Sequence, residues 1–300
     1  MSQPLASAVS SRPANLPVDT ASLIVQGRDQ PGIVSAMAST LAGLGANIGS
    51  LDQYTDDPVG GAFFQRTVFH LDDFAVRRPE VEEALDAKLS EFNLEWTLRD
   101  MSQPKRVAIF ASTSDHCLLD ILWRQRRGEL PITIPMVISN HTNVAEDVRS
   151  FGIPFFHVPS AGEDKSAAEA EHFKLLKGNV DVVVLARYMQ ILSADWLEKV
   201  EVPVINIHHS FLPAFIGAAP YRKAWERGVK LIGATSHYVT EDLDEGPIIE
   251  QDVVRVTHGD DPAELARRGA DVERQVLSRA LKWHCEDRVI RNGHQTIVFQ

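Results

Sequence analysis

The sequence predicts an α/β protein of two unlike halves. The first is a ferredoxin-like βαββαβ unit over residues 20–100, and the second a Rossmann-like unit with a mostly parallel sheet over residues 101–300. Three observations carry this. Between residues 20 and 100, four segments of strand character are interrupted by two of helical period. After residue 104, short and nearly all-apolar runs such as RVAIFAS, VDVVVLA and VPVINIHH alternate with helical segments, the pattern of strands buried on both faces. MSQPKR, residues 101–106, fits neither pattern and marks the boundary.

Residues 1–19, MSQPLASAVSSRPANLPVD, are rich in Ser, Ala and Pro and lack an apolar core, so a disordered tail is expected rather than a secretory signal. Acidic residues are absent before Asp19, which keeps a transit peptide as the alternative; a single Arg and the helix-breaking prolines weigh against it. ASLIVQG is the first strand. PGIVSAMASTLAGLG is an amphipathic helix, with Pro31 in its first turn and Ile33, Val34, Met37 and Leu41 at helical spacing. ANIGSLDQYTD is the second strand. GAFFQRTVFHLD, in which Phe64, Arg66, Val68 and His70 alternate with Phe63, Gln65, Thr67 and Phe69, is the third. PEVEEALDAKLSEFN is the second helix and LEWTLRD the last strand.

In the second half PMVISN and PFFHVP add strands, and stretches near KLIGATSHYV and IIEQDVVRV complete the sheet. DPAELARRGADVERQVLSRALKWHCED is a long helix with apolar residues at helical spacing. VIRNGHQTIVF is a hairpin in which Asn292-Gly293 suits a type I′ turn.

Composition narrows the functional classes. A chain of 300 residues with 44% hydrophobic content buries two cores, and no apolar run reaches the roughly 20 residues of a membrane span. A net charge of −11 argues against nucleic acid or an acidic membrane as partner. Cys117 and Cys285, far apart and in no CxxC arrangement, read as reduced thiols of a cytoplasmic protein. The eleven histidines form no metal signature, and neither a metal nor a cofactor is expected.

The chemistry concentrates in residues 204–253, VINIHHSFLPAFIGAAPYRKAWERGVKLIGATSHYVTEDLDEGPIIEQDV. Side chains alternate along a strand, so Asn206 and His208 share one face while His209 turns to the other. Pro213 ends the ladder, which puts the pair at the carboxyl end of a strand, where open α/β sheets bind ligands. An amide can donate to a developing oxyanion, and an imidazole exchanges protons near neutrality. Asp244, in a Gly-flanked loop, can orient that imidazole or hold an attacking water. His237 either ties this loop down or is simply packed.

Residues 105–290 resemble the formyltransferase superfamily that uses 10-formyltetrahydrofolate. The likeness rests on the Asn-x-His pair with its following Leu-Pro, on GATSHYVTEDLDEGPII and on LARYMQIL. INIHHSFLPAF followed by PYRKAWERGVKLIGAT is most similar to the formyltetrahydrofolate deformylase branch, whose members release tetrahydrofolate and formate and so balance folate pools for purine synthesis. The resemblance implies Asn206, His208 and Asp244 as catalytic residues. It implies a pterin pocket lined by Met189, Gln190, Ile191 and Leu192 on one side and by Val239 and Thr240 on the other. Arg187 either meets the folate carboxylates or is solvated. Ala219 stands where the branch often has Asn, which would alter rate or preference.

Transfer and hydrolysis use the same three groups. FASTSDHCLLDIL has no glycine with which to cradle an acceptor's phosphate, which points to water as the acceptor. A catalytically silent folate- or amino-acid-binding regulator is the reading from another class. GRDQPGIVSAMASTLAGLGANI resembles the ACT domain, which implies a homo-oligomer and a small amino-acid effector, glycine or methionine first, at Asp29 and Gly32. The alternative is that these two residues only shape a turn.

Overall fold

The computed structural model describes residues 16–160, 165–214 and 220–300. Most of the expected N-terminal tail, and Ala219, lie outside the described residues. The chain divides into two compact units, one built, among the described residues, from 16–104 with 286–290 and 297–300, the other from 105–285 and 291–296. The sequence reading put residue 101 onward in one domain; by contacts, the two short stretches near the end join the first unit.

The first unit runs β1 (Thr20–Arg28), α1 (Ile33–Gly43), β2 (Asn47–Thr55), β3 (Ala62–His70), α2 (Phe74–Leu89) and β4 (Glu95–Asp100). Its antiparallel sheet has the order β2-β3-β1-β4. Ala21 faces Phe69 and Leu23 faces Thr67, so the period-2 pattern puts Ala21, Leu23, Val25, Phe63 and Phe69 on one side. There they pack with Ile33, Met37 and Leu41 of α1 and Phe74, Val81 and Leu85 of α2.

Both helices begin differently from the sequence reading. Gly32 has φ 97°, a left-handed conformation that cannot belong to the helix, so α1 starts at Ile33 and Pro31 precedes it. Conversely, α2 starts at Phe74 and carries Pro79 inside it. The buried Phe74 ring anchors the first turn, and the Phe74 N–H donates to the Asp19 carboxylate at 3.2 Å.

The second unit contains β5 (Lys105–Ala111), α3 (His116–Arg126), β6 (Ile132–Ser139), α4 (Ala145–Ser150), β7 (Phe155–His157), α5 (Ser166–Leu176), β8 (Val182–Ala186) and α6 (Ala194–Lys199). β9 (Val204–His208), α7 (Pro220–Arg227), β10 (Leu231–Tyr238), β11 (Ile248–Arg255) and the long α8 (Pro262–Cys285) follow. The sheet order is β11-β10-β9-β8-β5-β6-β7. β5 to β9 are parallel, whereas β10 and β11 are antiparallel additions at one edge. On one face Phe110 is met edge-on by the rings of His172, Tyr188 and Trp196, at centroid distances of 4.8, 5.2 and 5.9 Å.

A terminal hairpin joins β12 (Val289–Asn292) to β13 (Gln295–Val298). The residues between these strands are Gly293 and His294, and Gly293 alone of the turn has positive φ, 59°. That is the type II′ pattern, since type I′ needs positive φ at both central residues; the expected Asn292-Gly293 placement is one residue early. Among the described residues no helix is long and apolar enough to cross a membrane.

Candidate active site

β9 ends the parallel run and presents Asn206 and His208 from its carboxyl end. The antiparallel pairing of β10 sets His237 directly across from Asn206 and Thr235 across from His208. Thr235 Oγ1 donates to the Ser210 carbonyl at 2.9 Å and accepts from the Leu212 N–H at 3.0 Å, which fixes the chain just after His208. After β10 the chain turns sharply back. A Cβ at Gly246 would overlap the Tyr238 carbonyl oxygen, so only glycine lets residues 239–247 close against the strand. Asp244, at φ 60°, is carried to the β9 side by this closure.

The three sequence-predicted groups therefore meet. His208 Nδ1 lies 3.1 Å from Asp244 Oδ1. Asn206 Nδ2 lies 3.3 Å from His237 Nε2, which is itself 3.9 Å from Asp244 Oδ1. The hydrogen-bond partners assign the ring protons. His237 Nδ1 faces the Tyr238 carbonyl at 2.9 Å, and a carbonyl only accepts, so Nδ1 carries the hydrogen and Nε2 offers its lone pair to the Asn206 amide N–H. Burial lowers the His237 pKa, which keeps that ring neutral. The amide of Asn206 is thereby oriented, with its second N–H available. Asp244 accepts from His208 Nδ1–H, leaving His208 Nε2 buried with no hydrogen-bond partner among the described residues.

The same bond from His208 holds the Asp244 carboxyl below the usual carboxylate range, against the opposing effect of its partial burial. Asp244 is thus a fixed anion.

A cavity of about 460 Å³ opens on these groups. Arg187, Met189, Gln190, Ile191, Leu192, Val239 and Thr240 all line it, together with Leu185, Leu197, His209 and residues 241–243. Met189, Ile191 and Leu243 are 55%, 60% and 61% exposed and form an apolar rim. Asp29 and Gly32 lie in the first unit, where the Asp29 N–H donates to the Gly61 carbonyl at 2.7 Å and Gly32 accepts from the Ala36 N–H at 2.8 Å.

Arg187 departs from the solvated alternative: its side chain is 14% exposed, with Nε 3.4 Å from the Glu273 carboxylate. Glu273, 1% exposed, also accepts from Tyr221 OH at 2.5 Å and faces His116 Nε2 at 2.8 Å. Burial alone would raise its pKa; His116, Arg187 and Tyr221 together outweigh that and hold it low. Sequence reasoning missed Glu273 because it sits in a helix, far along the chain from every partner. A buried Glu on the apolar side of α8 was the one available signal.

His116, Cys117 and Glu273 bring ligand-type atoms within 4.8 Å of one another. Both Glu273 oxygens are engaged, Oε1 by the Tyr221 hydroxyl and Oε2 by His116 with the Arg187 guanidinium in ion-pair contact, and burial followed by the Glu273 charge pushes the Cys117 thiol well up. A neutral thiol beside an Arg is poor chemistry for a cation, and this donor set fits an ionic cluster rather than a metal.

Residues 105–281 match the family model described as formyl transferase, and residues 21–87 that of the ACT domain. The chain is 56% identical over 282 residues to the formyltetrahydrofolate deformylase of Mycobacterium tuberculosis (strain ATCC 25618 / H37Rv), covering 94% of this chain and 91% of that protein. A crystal structure of a formyltetrahydrofolate deformylase from Pseudomonas syringae superposes with a TM-score of 0.87 at 44% identity, covering 94% of both chains. The crystal structure of glycinamide ribonucleotide transformylase 1 from Symbiobacterium toebii is similar over a shorter span: TM-score 0.62, 33% identity, 66% of this chain and 95% of that one.

Proposed function

The chain belongs to the formyltetrahydrofolate deformylase family, and from that premise we propose that it hydrolyses 10-formyltetrahydrofolate to tetrahydrofolate and formate. The observation that carries the chemistry is the His208–Asp244 contact at 3.1 Å, with His208 Nε2 left without a partner at the wall of an apolar-rimmed cavity. The pterin occupies the cavity between residues 189–192 and 239–240, and the formyl oxygen sits against the Asn206 amide.

Asp244 is too weak a base to take a proton from water, because its pKa is held low. It instead orients His208, whose Nε2 removes the proton as the water oxygen bonds to the formyl carbon. The negative charge passes to the former carbonyl oxygen, where Asn206, held by His237, donates to it. Collapse breaks the carbon–N10 bond, and the His208 proton goes to N10. Formate and tetrahydrofolate leave in equal amounts, with no resident cofactor required.

The direct test is formate release from 10-formyltetrahydrofolate by the purified protein with no other acceptor present. Tetrahydrofolate and formate in a one-to-one ratio are expected, and binding without turnover would instead establish a silent regulator. In the first unit, Asp29 and Gly32 at the start of α1 are read as the seat of a small amino acid, glycine or methionine, acting on a homo-oligomer in the cytoplasm.

A further inference from the structure

In an open α/β sheet, a ligand is ordinarily received in the crevice beyond the strand carboxyl ends where strand order reverses. Here the reversal is at β5, with β6 on one side and β8 on the other. The residues that follow these strands at that point are His116 at the start of α3 and Arg187 just after β8. Both converge on Glu273 of α8, and Tyr221 of α7 closes onto the same carboxylate at 2.5 Å. The switch-point crevice is thus filled from four elements by the protein's own side chains.

Two details show that this filling is built in. A Cβ at Gly269, one helical turn before Glu273, would overlap the Tyr221 hydroxyl, so the tyrosine seats only because that position is glycine. Arg187, whose Nε lies 3.4 Å from the Glu273 carboxylate, holds φ 61°, a conformation costly for any residue with a side chain. His209 meets Tyr221 edge-on at 6.2 Å and is kept neutral, its pKa lowered to about 4 by burial and then by Arg187. Arg187 and His209 are at the same time walls of the cavity that holds Asn206 and His208.

We propose that the Arg187–Glu273–Tyr221–His116 cluster occupies the seat of a second substrate and so closes the reaction cavity to formyl acceptors larger than water. This rests on the hydrolytic reading above and names what makes the reaction hydrolytic. An amine acceptor would have to bring its nitrogen to within roughly 3 Å of the formyl carbon while its remaining atoms lie somewhere beside β9. The space at the β5–β8 side is held by groups that cannot swing away without leaving a buried carboxylate unpaired. Water needs none of that space.

The test uses the full-length protein with 10-formyltetrahydrofolate carrying a labelled formyl carbon, and glycinamide as the amine probe. Labelled formate and labelled N-formylglycinamide are both quantified. In the transfer reaction the carbon–N10 bond breaks, a carbon–nitrogen bond to glycinamide forms, and the proton lost by the amine goes to N10. Arg187→Gly combined with Glu273→Gln removes the guanidinium without stranding a charge, and glycine suits the positive φ. Tyr221→Ala opens the same space while keeping the ion pair, and decides the matter if the double variant does not fold.

Wild-type protein is expected to give formate alone. The variants are expected to raise the ratio of N-formylglycinamide to formate by roughly tenfold or more, the scale on which pocket-filling groups discriminate. Folded variants that still hydrolyse but form no N-formyl product would overturn the proposal and leave the hydrolase reading intact. Folded variants that lose both reactions would also overturn it, by showing that the cluster supports the chemistry itself. Efficient formylation of glycinamide by the wild type would instead remove the hydrolytic reading on which the proposal stands.

Discussion

Asn206 and His208 were legible as neighbours on one strand face, since side chains alternate along a strand whatever the fold around it, and the structure brings Asp244 to 3.1 Å from the imidazole. Asn206→Ala is expected to slow formate release by roughly 10²–10³, the usual effect of losing one oxyanion donor. His208→Ala should be at least as damaging. Asp244→Asn, which tolerates positive φ but carries no charge, should lower turnover with little change in folate binding, as measured by steady-state kinetics beside a fluorescence titration. Near-wild-type turnover in folded variants of all three would remove this assignment. Arg187 and Glu273 were not legible in the same way. An Arg after a strand and a Glu in a helix are each ordinary until the fold places them 3.4 Å apart in a buried space.

Elements were read best where period and burial agree. β8, buried at every residue, and β9 were visible as apolar runs, whereas the starts of α1 and α2 were not: Pro31, expected in the first turn, precedes α1, and α2 begins five residues before Pro79, where the sequence pattern began it. The turn from β10 to β11 depends on Gly246, and Gly246→Ala must push the strand and loop apart. Asp244 would move with the loop, so turnover is expected to fall by tens-fold or more and stability by roughly 1–3 kcal/mol, the range for overpacking. A variant with unchanged kinetics and unchanged urea midpoint would show that the loop does not carry Asp244 into place.

His172 of α5 gives a pH prediction at the same scale. It is 1% exposed, neither ring nitrogen has a hydrogen-bond partner among the described residues, and burial lowers its pKa to about 4 from an ordinary 6.5. Between those values the unfolded chain binds a proton that the folded chain refuses, so stability falls as pH drops from 6.5 toward 4 and levels below that. The loss from this group is about 3 kcal/mol at most. His172→Met should therefore compare more favourably with wild type at pH 5 than at pH 7 by chemical denaturation, the lost edge-on ring contacts being common to both pH values. An equal shift at both pH values would assign the effect to packing.

At the scale of the whole molecule, the division into a small antiparallel sheet and a larger mostly parallel one was readable from strand patterning alone. Regulation belongs to this scale. A small amino acid changes activity only by binding one state of the assembly better than another. Glycine or methionine is expected to shift turnover or the oligomer distribution seen by light scattering, and Asp29→Ala to blunt that shift. Indifference of wild-type protein to both amino acids in both measurements would reduce the N-terminal unit to a passive role. What patterning could not show is that residues 286–290 and 297–300 return to the first unit. Their signals are backbone and ion-pair contacts, such as the Arg66 guanidinium on the Glu286 carbonyl at 2.9 Å and Arg99 on Asp287, which no periodicity encodes.

That return has a consequence for biosynthesis. Domains generally fold in order as they leave the ribosome. Here the first unit has all four strands of its sheet and both helices once residue 104 has emerged, yet it must wait for nearly the whole of the remaining chain before Arg66 and Arg99 meet Glu286 and Asp287. During translation these two arginines lack the Glu286 carbonyl and the Asp287 carboxylate that they bind in the finished protein. Nascent chains arrested shortly after residue 104 should accordingly be more open to protease on the strands that carry Arg66 and Arg99 than the same strands in the released protein.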